Sequence, residues 1–328
     1  MNALWQNQKP KLLLFAVVLA SVIFSQFADQ INPYYYTIII YIGINIMLAS
    51  SLNLINGFAG QFSLGHAGFM AIGGYTAAYM TSVMQAQPGT VGGNMMFLVA
   101  LLIAGLVAAI FGVLVGIPSL RLKGDYLAIV TLGFGEIIRV IIQSLDFLGG
   151  ARGFTSIPKF TNFAWVFCMA AVLIFIIANL VRSTYGKGFL AVADDEISAE
   201  AMGINSTYYK VVAFVTGAFF AGMAGGLYAH FVTYINPSQF GFVKSIELVV
   251  MVILGGMGNT VGVILSVVLL TILSEALRAI AEYRMVIYSL TLVIIMITRP
   301  QGLFGRGLWL KKTWGRMFGN SKPARSES

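Results

Sequence analysis

The sequence predicts an all-α polytopic membrane protein of about ten transmembrane helices, with both termini cytoplasmic and some helices broken by glycine-rich segments. Three observations predict it. The 328-residue chain is 58% hydrophobic and only 10% charged, with mean hydropathy +0.86, which leaves too little polar surface for a water-soluble globule. Apolar runs of near-spanning length recur with short polar breaks between them. The 20 Lys and Arg residues fall mainly in alternate breaks, the pattern that orients membrane helices.

The first run, Leu12 to Phe27, follows Lys9 and Lys11 as the apolar stretch of a secretory signal follows its basic start. No small-x-small cleavage pattern ends it, so it is expected to remain as the first helix. Further spans are Tyr34 to Ile55, Phe58 to Met84, Met95 to Ile117, Tyr126 to Ser144, Phe163 to Val181, Val211 to Val232, Val243 to Leu254, Val261 to Leu277 and Met285 to Thr298. Several fall short of the roughly 20 residues of a straight crossing, and for the glycine-broken Phe58 to Met84 the alternative is re-entry on one side. Charge decides in favour of crossing. With the N-terminus inside, fourteen basic residues are cytoplasmic: Lys9, Lys11, Arg121, Lys123, Arg182, Lys187, Lys210 and the seven from Arg299 to Arg325. Arg152, Lys159, Lys244, Arg278 and Arg284 lie outside and Arg139 within a span, which accounts for all 20. Without that crossing the bias beyond it inverts, against the positive-inside rule.

The chain therefore reads as one membrane domain over residues 1–328, with a cytoplasmic start at 1–11, a cytoplasmic loop at 182–210 and a basic tail at 299–328. A net charge of +8 raises nucleic acid as a partner, but no basic face is interleaved with aromatics, and anionic lipid and topology account for the charge. Cys168, the single cysteine, cannot form an intrachain disulfide and reads as a packing residue. Ala104, Ala108, Gly112 and Gly116 recur every four residues, as do Ala218, Gly222 and Gly226, each row a narrow stripe for close helix approach.

The informative segments break membrane rules. Asn53 to Gly74 places Asn53, Asn56, Gln61, Ser63 and His66 among glycines, at a depth where lipid cannot satisfy them. A second break, Leu254 to Gly262, contains Asn259 and falls on the same side. Paired breaks suit a transport pathway built from internal repeats, and glycine used for close helix contact is the competing explanation. Glu136 and Arg139, spaced i,i+3, can pair on one helix face, as a structural pair or as part of a pathway. Glu247 lies near the outer end of its span, as does Glu275, which reads as interfacial. His66 and His230 lack neighbouring ligands at metal spacing and read as hydrogen-bonded packing residues.

The cytoplasmic loop is long for a connector. Leu190, Ala193, Ile197, Ala201 and Ile204 follow helical spacing, while Asp194, Asp195, Glu196 and Glu200 occupy other faces, so a short amphipathic helix ended by Gly203 is expected. Its acidic residues disfavour an anionic membrane surface and favour docking to protein.

Four segments carry a resemblance: LNLINGFAGQFSLGHAGFMAIGGY (Leu52 to Tyr75), GDYLAIVTLGFGEIIRV (Gly124 to Val140), DDEISAEAMGI (Asp194 to Ile204) and ILGGMGNTVG (Ile253 to Gly262). From about Tyr34 to Phe304 the chain resembles permeases of branched-chain amino acid ABC importers, most closely their M-type subunit. The resemblance implies a sister permease in a heterodimer, two cytoplasmic ATP-binding subunits, a periplasmic solute-binding protein and the bacterial inner membrane. It makes the acidic loop a coupling helix, with Glu196, Ala199 and Gly203 approximating the permease loop motif. That motif's downstream Ile-x-Leu-Pro is absent after Gly203. The resemblance also implies that this chain binds no cofactor and that ATP and Mg²⁺ belong to its partners.

The residues agree on that last point. The chain's only Gly-Lys, at Gly186-Lys187, lacks the surrounding phosphate-loop pattern. No Ser/His/Asp set, metal cluster or paired aspartates suggests an intramembrane enzyme. Alternatives are an ion-coupled secondary transporter using Glu136 or Glu247, a channel, or a permease for urea, amides or other amino acids.

Overall fold

The computed structural model describes residues 14, 17–25, 32–119, 124–277, 290, 293 and 302. Among them every regular element is helical, apart from one isolated bridge between Phe154 and Ile235. The expected last span, Met285 to Thr298, and the 1–11 and 299–328 segments lie almost wholly outside the described residues. Of the first span, residues 17–25 are helical, and the Ser21 hydroxyl lies 3.1 Å from Cys168 Sγ.

Helix α1 (Pro33–Asn53) starts where Asn32 accepts from the Tyr34 N–H and Pro33 takes the first turn, a start signal written in the sequence. It runs into one π-helical stretch, Leu54–Phe58. There follow α2 (His66–Val83), α3 (Val91–Ser119), α4 (Asp125–Ser144) and α5 (Phe163–Arg182). Next come the short α6 (Thr184–Asp194) and α7 (Glu196–Ala201). The described bundle closes with α8 (Ser206–Val232), α9 (Phe242–Gly255) and α10 (Thr260–Ala276).

Six described stretches are long and apolar enough to cross a membrane: Pro33–Phe58, Val91–Pro118, Tyr126–Ser144, Phe163–Arg182, Ser206–Val232 and Pro237–Gly255. Thr260–Ala276 is apolar and 17 residues long, within one residue of the expected Val261 to Leu277 at each end, and one remaining expected span differs from the sequence reading. The span expected at Phe58 to Met84 becomes helical only at His66, because the backbone from Ala59 to Gly65 is held by side chains rather than by a helical ladder. Even so, α2 runs the length of the bundle. At its start Gly65 packs on Thr131 near the beginning of α4, and near its end Thr81 Oγ1 lies 2.8 Å from His230 Nε2 in the last turn of α8.

The two small-residue stripes face each other. A Cβ placed on Gly222 would lie 2.5 Å from Ala108 Cβ, and one on Gly112 would lie 2.8 Å from Ala218 Cβ. On its other side α8 meets α2 just as closely, at Gly73 and Gly222. α8 is thus clamped between α2 and α3 by backbone-to-backbone approach, the close contact that small residues permit in a membrane. α1, α9 and α10 pack together alongside, with α5 against α1 and α4 against α2.

Segments 54–65, 183–205 and 256–259 gather at one end of the bundle, here the loop end. Segments 84–90, 145–162 and 233–241 gather at the opposite end. There Pro88, Tyr36 and Lys159 line one cavity, and the Tyr34 hydroxyl donates to Glu275 at 2.5 Å.

Candidate functional site

At the loop end the two glycine-rich breaks touch. Asn53 Oδ1 accepts from the Gly258 N–H at 2.9 Å, and Gly57 lies against Gly258 so closely that a Cβ there would be 2.2 Å from the Gly258 nitrogen. The first break is folded onto itself by Asn56, whose Oδ1 accepts from the Ser63 N–H at 3.2 Å while its Nδ2 donates to the Ser63 carbonyl at 3.3 Å. From α4, Thr131 Oγ1 accepts from the Leu64 N–H at 3.0 Å. Asn259, in the second break, caps α10 by accepting from the Gly262 N–H at 3.2 Å. These side chains supply the hydrogen bonds that buried irregular backbone needs.

Ser50 Oγ, Asn53 Nδ2, both polar atoms of the Gln61 amide, Ser63 Oγ and His66 Nδ1 are buried without a hydrogen-bond partner among the described residues. His66 Nε2 is engaged, 2.8 Å from Ser51 Oγ. Each unpaired buried polar group costs roughly 1–3 kcal/mol. Most of these groups, from Asn53 to His66, lie within the first break.

The 183–205 loop meets this break directly. Gly60, at φ +66°, lies against the end of α6, where an added Cβ would be 2.9 Å from Ala193 Cα. The single amphipathic helix expected from Leu190 to Ile204 is instead two. Asp195 is extended, and its carboxylate starts α7 by accepting from the Ile197 and Ser198 N–H groups at 2.9 and 3.1 Å. Those bonds, the Ser198 backbone first, hold the exposed Asp195 carboxyl below the usual carboxylate range. Asp194 is exposed at the end of α6. Glu196 pairs with Lys210 at 2.6 Å, and Glu200 accepts from the Ser206 hydroxyl, so α7 is tied to the start of α8. Ala199 is buried and Ala201 exposed. Gly203, at φ +83°, follows the last turn, its N–H bonded to the Glu200 carbonyl at 2.9 Å. Ile197, expected on the covered face, is 74% exposed, and Met202 is 82% exposed. The loop thus presents apolar and acidic side chains together.

Glu136, Arg139 and Glu247 lie further along the bundle towards the opposite end, Glu136 directly after Gly135, where an added Cβ would lie 3.5 Å from Gly65 Cα. Arg139 Nε donates to Glu136 Oε2 at 2.7 Å, and Glu136 Oε1 accepts from the Phe242 N–H at 3.0 Å, joining α4 to the start of α9. Glu247 pairs with Lys244 at 3.1 Å. Sequence reasoning used Lys244 only as a loop charge, although FVKSIEL carries the same i,i+3 spacing that identified Glu136 and Arg139. It also missed Gly60 and Thr131, whose partners are distant in sequence and leave no local signal.

Over residues 34–296 the chain matches the family described as the branched-chain amino acid transport system permease component. The chain belongs to this family. Relatives of this permease component include the high-affinity branched-chain amino acid transport system permease protein LivM of Salmonella typhimurium, 37% identical over 295 residues, covering 79% of this chain and 67% of the relative. LivM of Escherichia coli is 36% identical over the same length with the same coverage. The related permease protein LivH of Salmonella typhimurium is 30% identical over 164 residues, covering 48% of this chain and 52% of its own. No solved structure matches the chain significantly. Family membership and the spanning-length helices together make this permease component a multi-pass membrane protein.

Proposed function

We propose that this chain is a membrane permease subunit of an ABC importer, passing leucine, isoleucine or valine across the bacterial inner membrane. The names of its relatives support the substrate class, and similarity to both LivM and LivH supports pairing with a sister permease. In this reading two cytoplasmic subunits bind ATP and Mg²⁺, a periplasmic protein delivers the solute, and membrane lipid surrounds ten crossings. In this reading the loop end is cytoplasmic, which the distribution of basic residues supports.

One contact carries the mechanism: the loop abuts the break, Ala193 against Gly60. Closure of the ATP-binding pair moves α6 and α7, whose exposed Ile197, Met202 and acidic residues form the docking surface. That displacement is transmitted to the Asn53 to Gly65 segment, where unpaired polar groups exchange partners as the pathway opens to one side or the other. Ion-coupled transport draws little support, since Glu136 and Glu247 are each neutralised by a cation three residues away.

The loop tests this. Glu200→Ala removes the tie to Ser206, and Gly203→Val places a branched side chain in a left-handed conformation, a strain of about 1–3 kcal/mol. Both variants are expected to assemble with the partner subunits while uptake and stimulated ATPase activity fall by about tenfold. Normal uptake in both counts against coupling through this loop.

A further inference from the structure

The Lys244 and Glu247 pair on α9 repeats the Glu136 and Arg139 pair on α4, and the two share one cavity. Its volume is about 450 Å³, and Phe242 and Val243 add apolar wall. That lies within the roughly 300–1,000 Å³ of small-molecule sites. The four charged side chains are half-buried, between 20% and 36% exposed.

What each group has left to offer defines the ligand. Among the described residues, Arg139 uses only Nε, leaving both terminal guanidinium nitrogens as donors. Lys244 Nζ donates to Asn45 Oδ1 and to Glu247 Oε2, each at 3.1 Å, so one of its three N–H groups remains. Glu247 engages only Oε2. Glu136 is engaged at both oxygens, one by Arg139 and one by the Phe242 N–H, so it is assigned the role of positioning Arg139. The lining has two cations and two anions, with donors to spare and one carboxylate oxygen to spare. A simple anion would meet Glu247 and a simple cation would meet Arg139 and Lys244. A molecule carrying both charges on adjacent groups satisfies all three.

We propose that this cavity binds the zwitterionic head of an amino acid. Arg139 and Lys244 take the α-carboxylate by charge-assisted hydrogen bonds, Glu247 Oε1 takes the α-ammonium, and Phe242 with Val243 faces the aliphatic side chain. The inference rests on the substrate reading above and adds a place for the substrate at the end of the bundle opposite the loop.

The test uses the full chain purified with its sister permease and ATP-binding subunits, without the solute-binding protein. Ligand-dependent thermal unfolding is titrated with L-leucine, with 4-methylpentanoate, which lacks the ammonium, and with 3-methylbutylamine, which lacks the carboxylate. The wild type is expected to prefer L-leucine over each by about tenfold or more. E247Q loses the preference over 4-methylpentanoate, and R139Q loses the preference over 3-methylbutylamine, while R139K retains part of it. Each preference is a ratio within one preparation, so partial misfolding of a variant leaves it intact. Unchanged ratios in both variants, or a wild type indifferent to all three ligands, overturn the site even if ATP-driven leucine uptake proceeds. A wild type stabilised by glycine but not by L-leucine or L-valine keeps the site and removes the branched-chain reading instead.

Discussion

Replacing Gly57 with alanine is expected to abolish uptake and lower the melting temperature of the assembled complex. The new methyl would lie 2.2 Å from Asn53 Oδ1 and 2.2 Å from the Gly258 nitrogen, the acceptor and donor of a hydrogen bond that joins the two breaks. Neither can step aside cheaply, because the donor is backbone and the acceptor sits on a buried asparagine. Forcing the two apart adds overpacking, about 1–3 kcal/mol, to an unpaired buried amide, about 1–3 kcal/mol more. Gly133 is the matched control on α4, where an added Cβ meets nothing within 4 Å. Gly133→Ala should leave uptake and melting unchanged or slightly improved. Wild-type uptake in Gly57→Ala would mean that the contact between the breaks has no part in transport.

Gly73→Val is expected to have the largest effect on stability alone. Even the first carbon of the new side chain would lie 2.1 Å from the Gly222 carbonyl oxygen and 2.2 Å from its Cα, both backbone atoms of α8. α8 cannot retreat, since Gly222 is pressed from its other side by Ala104 and Ala108 on α3. The three central helices must separate or shift together, a change of about 3 kcal/mol or more. Thermal unfolding of the purified complex, together with its yield, measures this. A melting temperature within a degree or two of wild type would show that α2, α3 and α8 are not held as close as described.

Much of this was readable in the sequence because membrane chemistry is restrictive. Glycine and alanine every fourth residue foretold that α3 and α8 would approach closely, and the two rows proved to face one another. Polar residues clustered with glycines foretold two irregular segments on one side, and Asn53 and Gly258 join them. The spacing of Glu136 and Arg139 foretold their pair. The late start of α2 at His66 was not readable, because Asn56 and Thr131 hold the preceding backbone through partners that only the fold supplies. The division of the loop helix at Asp195 was local and could have been seen, since an acidic residue with a serine three positions on favours a helix start. Helical spacing carried across that point outweighed it, and so placed Ile197 on a covered face it does not occupy. Lys244 was hidden by its position at the margin of an apolar run, where it passes for a loop charge.

This permease component is expected to move branched-chain amino acids with energy supplied from its loop side. The most direct measurement is uptake of radiolabelled L-leucine into proteoliposomes holding the chain, its sister permease and both ATP-binding subunits. The solute-binding protein is added outside and ATP is sealed within. The expected result is accumulation of L-leucine, competed by L-isoleucine and L-valine, that ceases when ATP or the sister permease is omitted. Accumulation driven by a proton or sodium gradient without ATP, or by this chain alone, would contradict it.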